Sequence, residues 1–557
     1  MKEIIVVNPE KCVGCNACVR NCPAQEANIT TMREDGTFVT TVNPEKCICC
    51  GECVRSCMHG ARDYNDDTEA FMNHIKNKEA ALLVTPAIKA AHPTLWKPIL
   101  DWFKRKNVKT YDVSYGADIC TWAHLRAIEN KDVNNIITQP CAAIVNFIET
   151  YEPDLLKNLS PIHSPIMCEA IYLKKYLHLN MPIAVLSPCI AKKTEFERTG
   201  YVSYNVTFKK LQEYFTNNNI HMAPMAYSEN VEYNFDDQQG QVGAIYSRPG
   251  GLRDNIWLHN PDVNITTSEG VHKVYPELRT YAKMPEFKHP EVFDVLSCEF
   301  GCNIGPGAGT DQTIFDVMHT MSVVEKSSKQ KRKTKFFDAT NDKLFKKFDE
   351  LLSINDFVRT YSPKQVTPQP TMIELEDVFC SMGKTTTESR KYNCHACGYA
   401  SCMEMATAIY RGLNVPDNCI VHAKSVLHSK HDTVGMMVYK CREFSDNLVQ
   451  DIDLILKNIQ AINNASTVTS EKSTIVRELL TKLVAFCDAN KYDINEEVVE
   501  RIVQMLQTVI GAFKHLDTSI SITNESSVRI DNSVSELTRL VEELNVMLHE
   551  TTDVDKY

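Results

Sequence analysis

Eight cysteines near the start of the chain fall into two groups with the spacing of iron-sulfur ligands. Each group reads C-x2-C-x2-C-x3-C, and a proline follows only the first; the members are Cys12, Cys15, Cys18, Cys22, Cys47, Cys50, Cys53 and Cys57. In such a repeat, three close thiolates bind one [4Fe-4S] cluster and the fourth binds the other. We therefore predict one cluster on Cys12, Cys15, Cys18 and Cys57, and a second on Cys47, Cys50, Cys53 and Cys22.

The segment around these cysteines, residues 1 to about 62, resembles the bacterial two-cluster ferredoxins. An edge strand is predicted at EIIVV, and polar turns separate the two halves. A zinc module is the disfavoured alternative, because tetrahedral zinc takes two separated pairs of ligands. Cys49 lies outside the ligand spacing and is interpreted as a bystander.

A third cysteine motif lies far downstream, in YNCHACGYASCMEMATAIYRGLNVPDNCI. Its members are Cys394, Cys397, Cys402 and Cys419, and a short helix is predicted over 402–411. The motif resembles the small four-cysteine Fe-S domain of several electron-transfer and sensory proteins, which implies a further [4Fe-4S] cluster. Structural zinc stays open as the alternative, because four cysteines with a C-x2-C pair also bind zinc.

Four more cysteines belong to no closely spaced motif. They are Cys141 in TQPCAAIVN, Cys189 in VLSPCIAKK, and Cys298 and Cys302 in LSCEFGCNIGPGAG. Apolar runs precede these segments and predict buried strands, and sites tend to gather where the strands of an α/β domain open into loops. Taken singly, each cysteine could equally be a small buried hydrophobic residue.

The same segments, with YDVSYGADI at 111–119 and LSPIHSP at 159–165, resemble in order and spacing the active-site domain of the [FeFe]-hydrogenases. The resemblance covers roughly residues 80–365. It implies that Cys141, Cys189, Cys298 and Cys302 bind a [4Fe-4S] cube, which Cys302 bridges to a di-iron unit carrying CO, cyanide and an azadithiolate. It also implies that Lys192 places its ammonium group on a cyanide nitrogen.

The chain departs from the hydrogenase pattern beside Cys141. Where efficient members of the family read T-S-C-C-P, this chain reads TQPCA, so Pro140 replaces the cysteine that hands protons to the di-iron unit. A proline side chain cannot donate a proton. Ala123 and Ala127 replace the carboxylates that would extend the relay. Slow proton delivery is therefore expected.

Other positions of the hydrogenase pattern are also changed. Ser187 stands for a methionine and Ile166 for a glutamine of the S-P-Q motif. An alternative proton route through His124 or Cys120 stays open beside their interpretation as ordinary packing residues. These departures resemble the sensory subgroups of the family, in which hydrogen is bound but turned over poorly.

The tail has a different character, because glycine and proline nearly vanish. Apolar residues recur at heptad-like spacing from Leu448 to Ile462, from Ile502 to Ile520 and from Ile530 to Leu548. An intramolecular helical bundle and a coiled-coil homodimer are both compatible with this spacing. The tail resembles the helical signalling stalks of chemoreceptor-like proteins, and it has no room for a PAS module.

These features predict a multidomain α+β and α/β chain. The predicted domains are a ferredoxin-like 2[4Fe-4S] domain at 1–75, an α/β iron-hydrogenase domain with the H-cluster at 76–365, a small Fe-S domain at 366–430, and an all-α helical or coiled-coil tail at 431–557. The expected function is that of a slow iron hydrogenase, which oxidises H2 reversibly to protons and electrons and passes its redox state to a signalling partner. The alternatives are a catalytic subunit of an NAD- or ferredoxin-linked complex and a noncatalytic iron-sulfur assembly or scaffold protein without the di-iron unit.

Composition limits the partners and the location. The formal net charge is −11, which argues against a nucleic acid or an anionic membrane as a main partner. No stretch approaches about 18 consecutive apolar residues. The 22 cysteines do not fit a disulfide framework in a chain of this size, and metal binding explains them better. We therefore expect a cytoplasmic protein with a redox or signalling protein as its partner. We also expect the chain to form a homodimer.

Overall fold

Short strands and many helices make up the chain in the computed structural model, which describes residues 3–130, 135–332, 343–490 and 495–553. The chain divides into two units, Met1–Ala423 and Lys424–Tyr557. The first unit contains residues 1–365 of the first two predicted domains and all of the third predicted domain except 424–430. Among the described residues, no helix combines the length and the apolar character needed to cross a membrane.

In the part of the chain that the structure describes, eleven strands form four small sheets. They are β1 (Ile5–Val7), β2 (Asn28–Met32), β3 (Phe38–Val42), β4 (Arg62–Tyr64), β5 (Ala80–Val84), β6 (Val108–Asp112), β7 (Ile136–Ile137), β8 (Ile183–Ser187), β9 (Tyr204–Thr207), β10 (Ile265–Glu269) and β11 (Val292–Leu296). Antiparallel pairs join β1 to β4 and β2 to β3. The other two sheets are parallel, with the orders β6-β5-β8-β9 and β10-β11-β7.

The helices of the first unit surround these sheets. They are α1 (Ala17–Arg20), α2 (Glu52–Arg55), α3 (Thr68–His74), α4 (Ala87–Ala91), α5 (Trp96–Arg105), α6 (Val113–Glu129), α7 (Ala142–Tyr151), α8 (Pro165–Ile171), α9 (Lys192–Thr199), α10 (Phe208–Asn217), α11 (Gly251–Trp257), α12 (Val274–Lys283), α13 (Ile314–Arg332), α14 (Lys343–Leu351), α15 (Glu376–Ser381) and α16 (Cys402–Tyr410). The predicted ferredoxin, α/β and small Fe-S folds are thus all present.

The ferredoxin part repeats one local structure around each cysteine group. A one-turn helix, α1 or α2, carries the third cysteine of each group. Asn16 and Gly51 precede these helices and take corresponding left-handed conformations, with φ of 59° and 78°. The strand predicted at EIIVV is β1, and its partner β4 comes from the end of the second half.

The inner strands of the two parallel sheets are buried because helices cover both faces of these sheets. Every residue of β5, β8 and β11 is buried. Helices α6 and α8 approach each other closely at Gly116, where a Cβ atom would lie 2.3 Å from the carbonyl oxygen of Pro165. This contact fixes the position of α6 relative to α8. In sequence, the two helices precede and follow the segment that contains Cys141.

The four-cysteine segment packs directly on the first half of the ferredoxin part. Val19 is fully buried in one apolar cluster with Cys397, Cys402 and Cys419, and Cys18 packs against that cluster. The amide of Thr30 in β2 donates to the carbonyl of Leu413 over 2.8 Å. Asn16 also bonds to Asn418 through its side-chain amide, over 2.9 Å. The three predicted iron-sulfur regions are therefore parts of one packed body.

The second unit is helical, as the heptad spacing predicted. It contains most of α17 (Ile420–Ala489) and all of α18 (Glu496–Asp553). Within it the buried positions are few and mostly small; they are Asn458, Ala465, Val476, Val509, Ser519 and Ser526. Larger apolar side chains stay exposed, among them Ile510 at 56% and Phe513 at 51%. The side chains of Leu544 and Leu548, in the third predicted run, lie outside the described part.

Candidate functional site

One cavity lies where strands of both parallel sheets end. Thr85 follows β5, Val113 follows β6, Cys189 follows β8 and Cys298 follows β11, and all four line this cavity. Cys141 joins them from the segment after β7. Binding sites of α/β proteins lie at the carboxyl ends of parallel strands. The architecture therefore places the cavity where chemistry is expected.

The structure brings together the four cysteines that the hydrogenase resemblance selected. Cys141, Cys189, Cys298 and Cys302 all line the cavity. Burial raises the pKa of Cys298, and the neighbouring thiols of Cys302, Cys141 and Cys189 raise it further. Burial and then Cys141 raise the pKa of Cys189 to about 11. These thiols lie close enough to repel one another as thiolates.

The cavity fits an iron-sulfur group on two grounds. Cys141 is buried and Cys189, Cys298 and Cys302 are partly buried. Four such neighbouring thiols can ionise together only if a cationic group lies between them, and iron would supply that charge. Counting the part that opens to solvent, about 890 Å³ of the cavity is free of protein atoms, and the centres of water-sized molecules fit in about 100 Å³ of it. Its lining is largely apolar, with Val113, Ile166 and Leu296 in the wall.

A sharply bent loop presents Cys302 to the cavity. Its backbone N–H donates to the carbonyl of Ser247 over 2.8 Å. Gly301 before it has φ of 72°, and a Cβ atom there would lie 2.4 Å from the same carbonyl oxygen. Only glycine combines this backbone conformation with so close an approach. The glycine-rich sequence after Cys298 is therefore required by the loop.

Lys192 lies in the cavity wall and belongs to a buried network that the sequence analysis missed. Its Nζ atom lies 2.5 Å from Glu195 Oε2, and Arg359 donates to Glu195 Oε1 over 3.1 Å. Ser164 donates to the same carboxylate over 3.1 Å. Burial raises the pKa of Glu195, but Lys192 and Arg359 outweigh burial and hold this pKa below its usual value. The i,i+3 spacing of Lys192 and Glu195 was the available signal for the pair.

Three of the positions that depart from the hydrogenase pattern face the cavity, whereas Ala123 and Ala127 are buried in α6 outside its lining. Pro140, Ile166 and Ser187 all line the cavity, so these substitutions sit where a proton donor or ligand contact would be needed. Among the described residues, the ionisable side chains of the lining are the four cysteines, Cys50, Lys192 and Tyr246. Burial raises the pKa of Tyr246 well above its usual value. The cavity is therefore poor in groups that release protons.

Cys120 and His124 lie behind this wall, not in it. The Cys120 sulfur lies 3.6 Å from His124 Nδ1, and His124 Nε2 lies 2.9 Å from the hydroxyl of Ser160. Tyr246 reaches this region through a 2.9 Å hydrogen bond with Thr121. The two residues proposed as an alternative proton route are thus buried and hydrogen-bonded, and Tyr246 separates them from the cavity.

The ferredoxin cysteines are arranged as two sets. Burial raises the pKa of Cys22 to about 12, and the nearness of Cys47 contributes. Cys22 in turn raises the pKa of Cys50 and of Cys53, after the effect of burial. Cys22 therefore lies among the second group, where the crossed ligand pattern predicts it. For the first group, Cys12 and Cys15 act on Cys18 in the same way.

The second ferredoxin set adjoins the cavity. Cys50 lines it together with the four cysteines of the α/β part. Next to Cys50, Gly51 packs so tightly on the α/β part that a Cβ atom would lie 2.5 Å from Pro306 and 2.8 Å from Ile190. Cys49, interpreted as a bystander, is buried beside Cys47, and its thiol lies 3.9 Å from the Cys47 carbonyl oxygen. The second ferredoxin set and the α/β part are therefore in direct contact at the cavity.

The downstream four-cysteine site has partly exposed and partly buried members. Cys394 is exposed, whereas Cys397, Cys402 and Cys419 are buried. Burial raises the pKa of Cys397, and Cys419 and Cys394 add to the effect. The amide of Cys402 donates to the Asn393 side chain over 2.8 Å, at the start of the predicted helix α16. In the described residues, no three His, Cys, Asp or Glu side chains are placed to hold a single metal ion.

Comparison with protein-family models assigns the three regions. Residues 86–306 match the model for the iron-only hydrogenase large subunit, C-terminal domain. Residues 11–61 match a 4Fe-4S dicluster domain, and residues 391–421 match a family described as “Putative Fe-S cluster”. The last match favours iron-sulfur over zinc at the downstream cysteines. The molecule is thus an iron-sulfur protein built around an iron-hydrogenase domain.

More specifically, the chain is an [FeFe]-hydrogenase-like protein with ferredoxin and Fe-S domains. Solved structures similar to it include an [FeFe]-hydrogenase studied for oxygen inactivation, with 14% identity, a TM-score of 0.41, and 54% of this chain and 100% of the other covered. A variant of [FeFe]-hydrogenase HydA1 from Chlamydomonas reinhardtii has 13% identity, a TM-score of 0.42 and the same coverage. No curated protein gives a significant match to the chain.

Proposed function

We propose that the chain is a slow, sensory [FeFe]-hydrogenase that reversibly oxidises H2 to protons and electrons. The observation that carries the proposal is the cavity that Cys141, Cys189, Cys298 and Cys302 line together with Pro140. Cys141, Cys189, Cys298 and Cys302 would hold the cube, and Cys302 would bridge to the di-iron unit with its CO, cyanide and azadithiolate ligands. When bound, this group would supply the redox chemistry of hydrogen.

Slow turnover is proposed because the chain supplies few protons to the cavity. Pro140 has no proton to give, and Lys192 is held by Glu195 at 2.5 Å. Tyr246 is a weak acid there, because burial raises its pKa. A side-chain route for protons from Cys120 and His124 to the cavity would pass through Tyr246. Tyr246 is therefore an inefficient general acid, because a group with a strongly raised pKa releases its proton poorly.

Electrons would leave the cavity along a row of clusters. The cube would pass them first to the cluster of Cys22, Cys47, Cys50 and Cys53, because Cys50 lines the same cavity. The cluster of Cys12, Cys15, Cys18 and Cys57 would come next. The four-cysteine site would be last, because Cys18 packs on its apolar cluster. Its exposed ligand Cys394 would then lie nearest to a redox partner.

The helical tail would carry the output as a homodimer. Exposed apolar residues such as Ile510 and Phe513 follow the heptad spacing of α18, and a second copy of the chain would cover them. The change in cluster redox state would reach a signalling protein through this tail. A cytoplasmic location belongs to the proposal because 22 cysteines need a reducing compartment to stay free for metal.

A turnover assay of the matured, purified protein tests this proposal. We expect hydrogen evolution from a chemical reductant to be detectable but slow. Fast hydrogen evolution, or a stable flavoprotein partner on purification, would instead support the catalytic subunit of an NAD- or ferredoxin-linked complex. A scaffold protein would contain the iron-sulfur clusters and no CO or cyanide ligands.

A further inference from the structure

A second cleft lies on the other side of Glu195 from the hydrogenase cavity. It has a volume of about 630 Å³, and its lining includes His163, Arg198, Arg359 and Lys364. The segment 358–364 forms one wall, held by hydrogen bonds from the Arg359 amide to Pro161 and from the Lys364 amide to Glu149, each 2.8 Å. This cleft takes no part in the proposed hydrogen chemistry.

Positive charge exceeds negative charge around the cleft. Arg198 pairs with Glu149, while Arg359 and Lys192 share Glu195. Lys192 lies in the wall of the other cavity, so three cations, Arg198, Arg359 and Lys364, face the cleft beside these two carboxylates. Lys364 has no ion-pair partner among the described residues, and burial and then Arg198 lower its pKa. A bound anion would stabilise the Lys364 ammonium against both its burial and its repulsion by Arg198.

His163 adds a polar group that lacks a partner. It lines the cleft with 6% of its surface exposed, and its Nδ1 atom has no hydrogen-bond partner in the described structure. Burial lowers the pKa of His163 to about 4, so the imidazole is neutral at pH 7. A buried ring nitrogen without a partner costs free energy unless a ligand or a water molecule satisfies it.

We propose that this cleft, between Arg198, Arg359, Lys364 and His163, binds a phosphate group. Two guanidinium groups and an ammonium suit a tetrahedral dianion, because arginine forks bond to two phosphate oxygens at once. The source can be inorganic phosphate or a phosphate monoester, which offer the same dianionic head.

The phosphate site is connected to the hydrogenase cavity through one carboxylate. Glu195 Oε1 accepts from Arg359 in the cleft, and Glu195 Oε2 contacts Lys192 in the cavity wall. A phosphate that draws Arg359 away leaves Glu195 with one cation fewer, so Glu195 then holds Lys192 more tightly. Bound phosphate therefore withdraws the Lys192 ammonium from the cavity. This coupling rests on the proposed function, whereas the binding site itself does not.

Binding is tested by calorimetry on the full chain purified without di-iron maturation. Inorganic phosphate is titrated at constant ionic strength, and adenosine monophosphate serves as the monoester. We expect saturable binding of at least one, weakened about tenfold by Lys364→Gln and by Arg198→Gln. Arg126→Gln is the matched control, because Arg126 is an arginine of similar exposure, paired with Asp349 outside the cleft. We expect no change in affinity there.

The outcomes test the phosphate site and its coupling to the hydrogenase cavity separately. Absence of saturable binding by both probes, or equal weakening by Arg126→Gln, overturns the phosphate site. Tighter binding of the monoester with the same variant dependence supports it and identifies the source. In matured protein, phosphate should shift the cyanide infrared bands of the wild type but not those of Lys364→Gln; unshifted bands despite binding overturn the coupling. If no such bands form, the proposed function fails, while the calorimetric result still decides the site.

Discussion

Lys192 and Glu195 form a buried ion pair in which the ammonium nitrogen and the carboxylate oxygen lie 2.5 Å apart at the wall of the candidate hydrogenase cavity. Their side chains are 6% and 2% exposed. The same carboxylate binds Arg359, so one acidic group balances two buried cations. The position of the Lys192 ammonium therefore depends on a residue that lies outside the cavity lining.

Replacing Glu195 with glutamine should destabilise the α/β part. The substitution leaves Lys192 and Arg359 buried without a countercharge, and we expect a loss of about 3 kcal/mol in the free energy of unfolding. Denaturant unfolding followed through the tryptophans of this part measures the loss. Glu197→Gln is the matched control, because Glu197 lies on the same helix and is exposed. Equal stability of the two variants would contradict the role given to Glu195.

Replacing Pro140 with cysteine should accelerate hydrogen turnover. The new thiol would face the cavity where the wild type has no proton donor, and a positioned general acid contributes about a hundredfold. Hydrogen evolution by matured protein with a chemical reductant gives the rate. Pro140→Ala removes the ring without adding a thiol, so we expect it to stay slow. A rate for the cysteine variant no higher than that of the alanine variant would place the limitation elsewhere.

Replacing Gly398 with alanine should loosen the four-cysteine segment from the ferredoxin part. Gly398 has φ of 91°, and a Cβ atom there would lie 2.9 Å from the Cβ atom of Val19. Gly412→Ala is the control, since Gly412 has φ of 69° with no atom within 4 Å of the added Cβ. Hydrogen exchange of peptides covering 391–421 and Thr30 should be faster in the first variant only. The same exchange rates in both would show that the Val19 contact does not hold the segment.

The dimer proposed for the tail should dissociate when its exposed apolar face is charged. Ile510→Asp with Phe513→Asp introduces two carboxylates into the heptad face, where burial of a charge is costly. Light scattering after size exclusion should then give the mass of one chain. Gln504→Asp, an exposed polar position on the same helix, should keep the dimer mass. A wild type that is itself monomeric would rule out the homodimer.

The cysteine spacing and the apolar runs predicted the fold class because both are local in sequence. The runs before Cys189 and Cys298 are indeed β8 and β11, and α16 begins at Cys402 as expected. The packing of distant segments left no such signal. Asn16 and Asn418 are 402 residues apart and bond directly, which no spacing rule anticipates.

The buried network behind the cavity was similarly hidden from the sequence. Arg359 lies 164 residues after Glu195, in a stretch without a recognisable motif. Tyr246 likewise reaches the cavity from a stretch without a recognisable motif. These residues act through long-range contacts, so only the folded chain reveals them.

The most direct test of the account is infrared spectroscopy of the fully matured protein under hydrogen, with Cys302→Ser measured alongside. We expect stretching bands of metal-bound CO and cyanide in the wild type, and their loss or clear alteration in the variant, because Cys302 would bridge the cube to the di-iron unit. Iron and sulfide analysis of both proteins controls for the other clusters. A wild type that contains its iron-sulfur clusters but shows no such bands would contradict the proposed hydrogen chemistry.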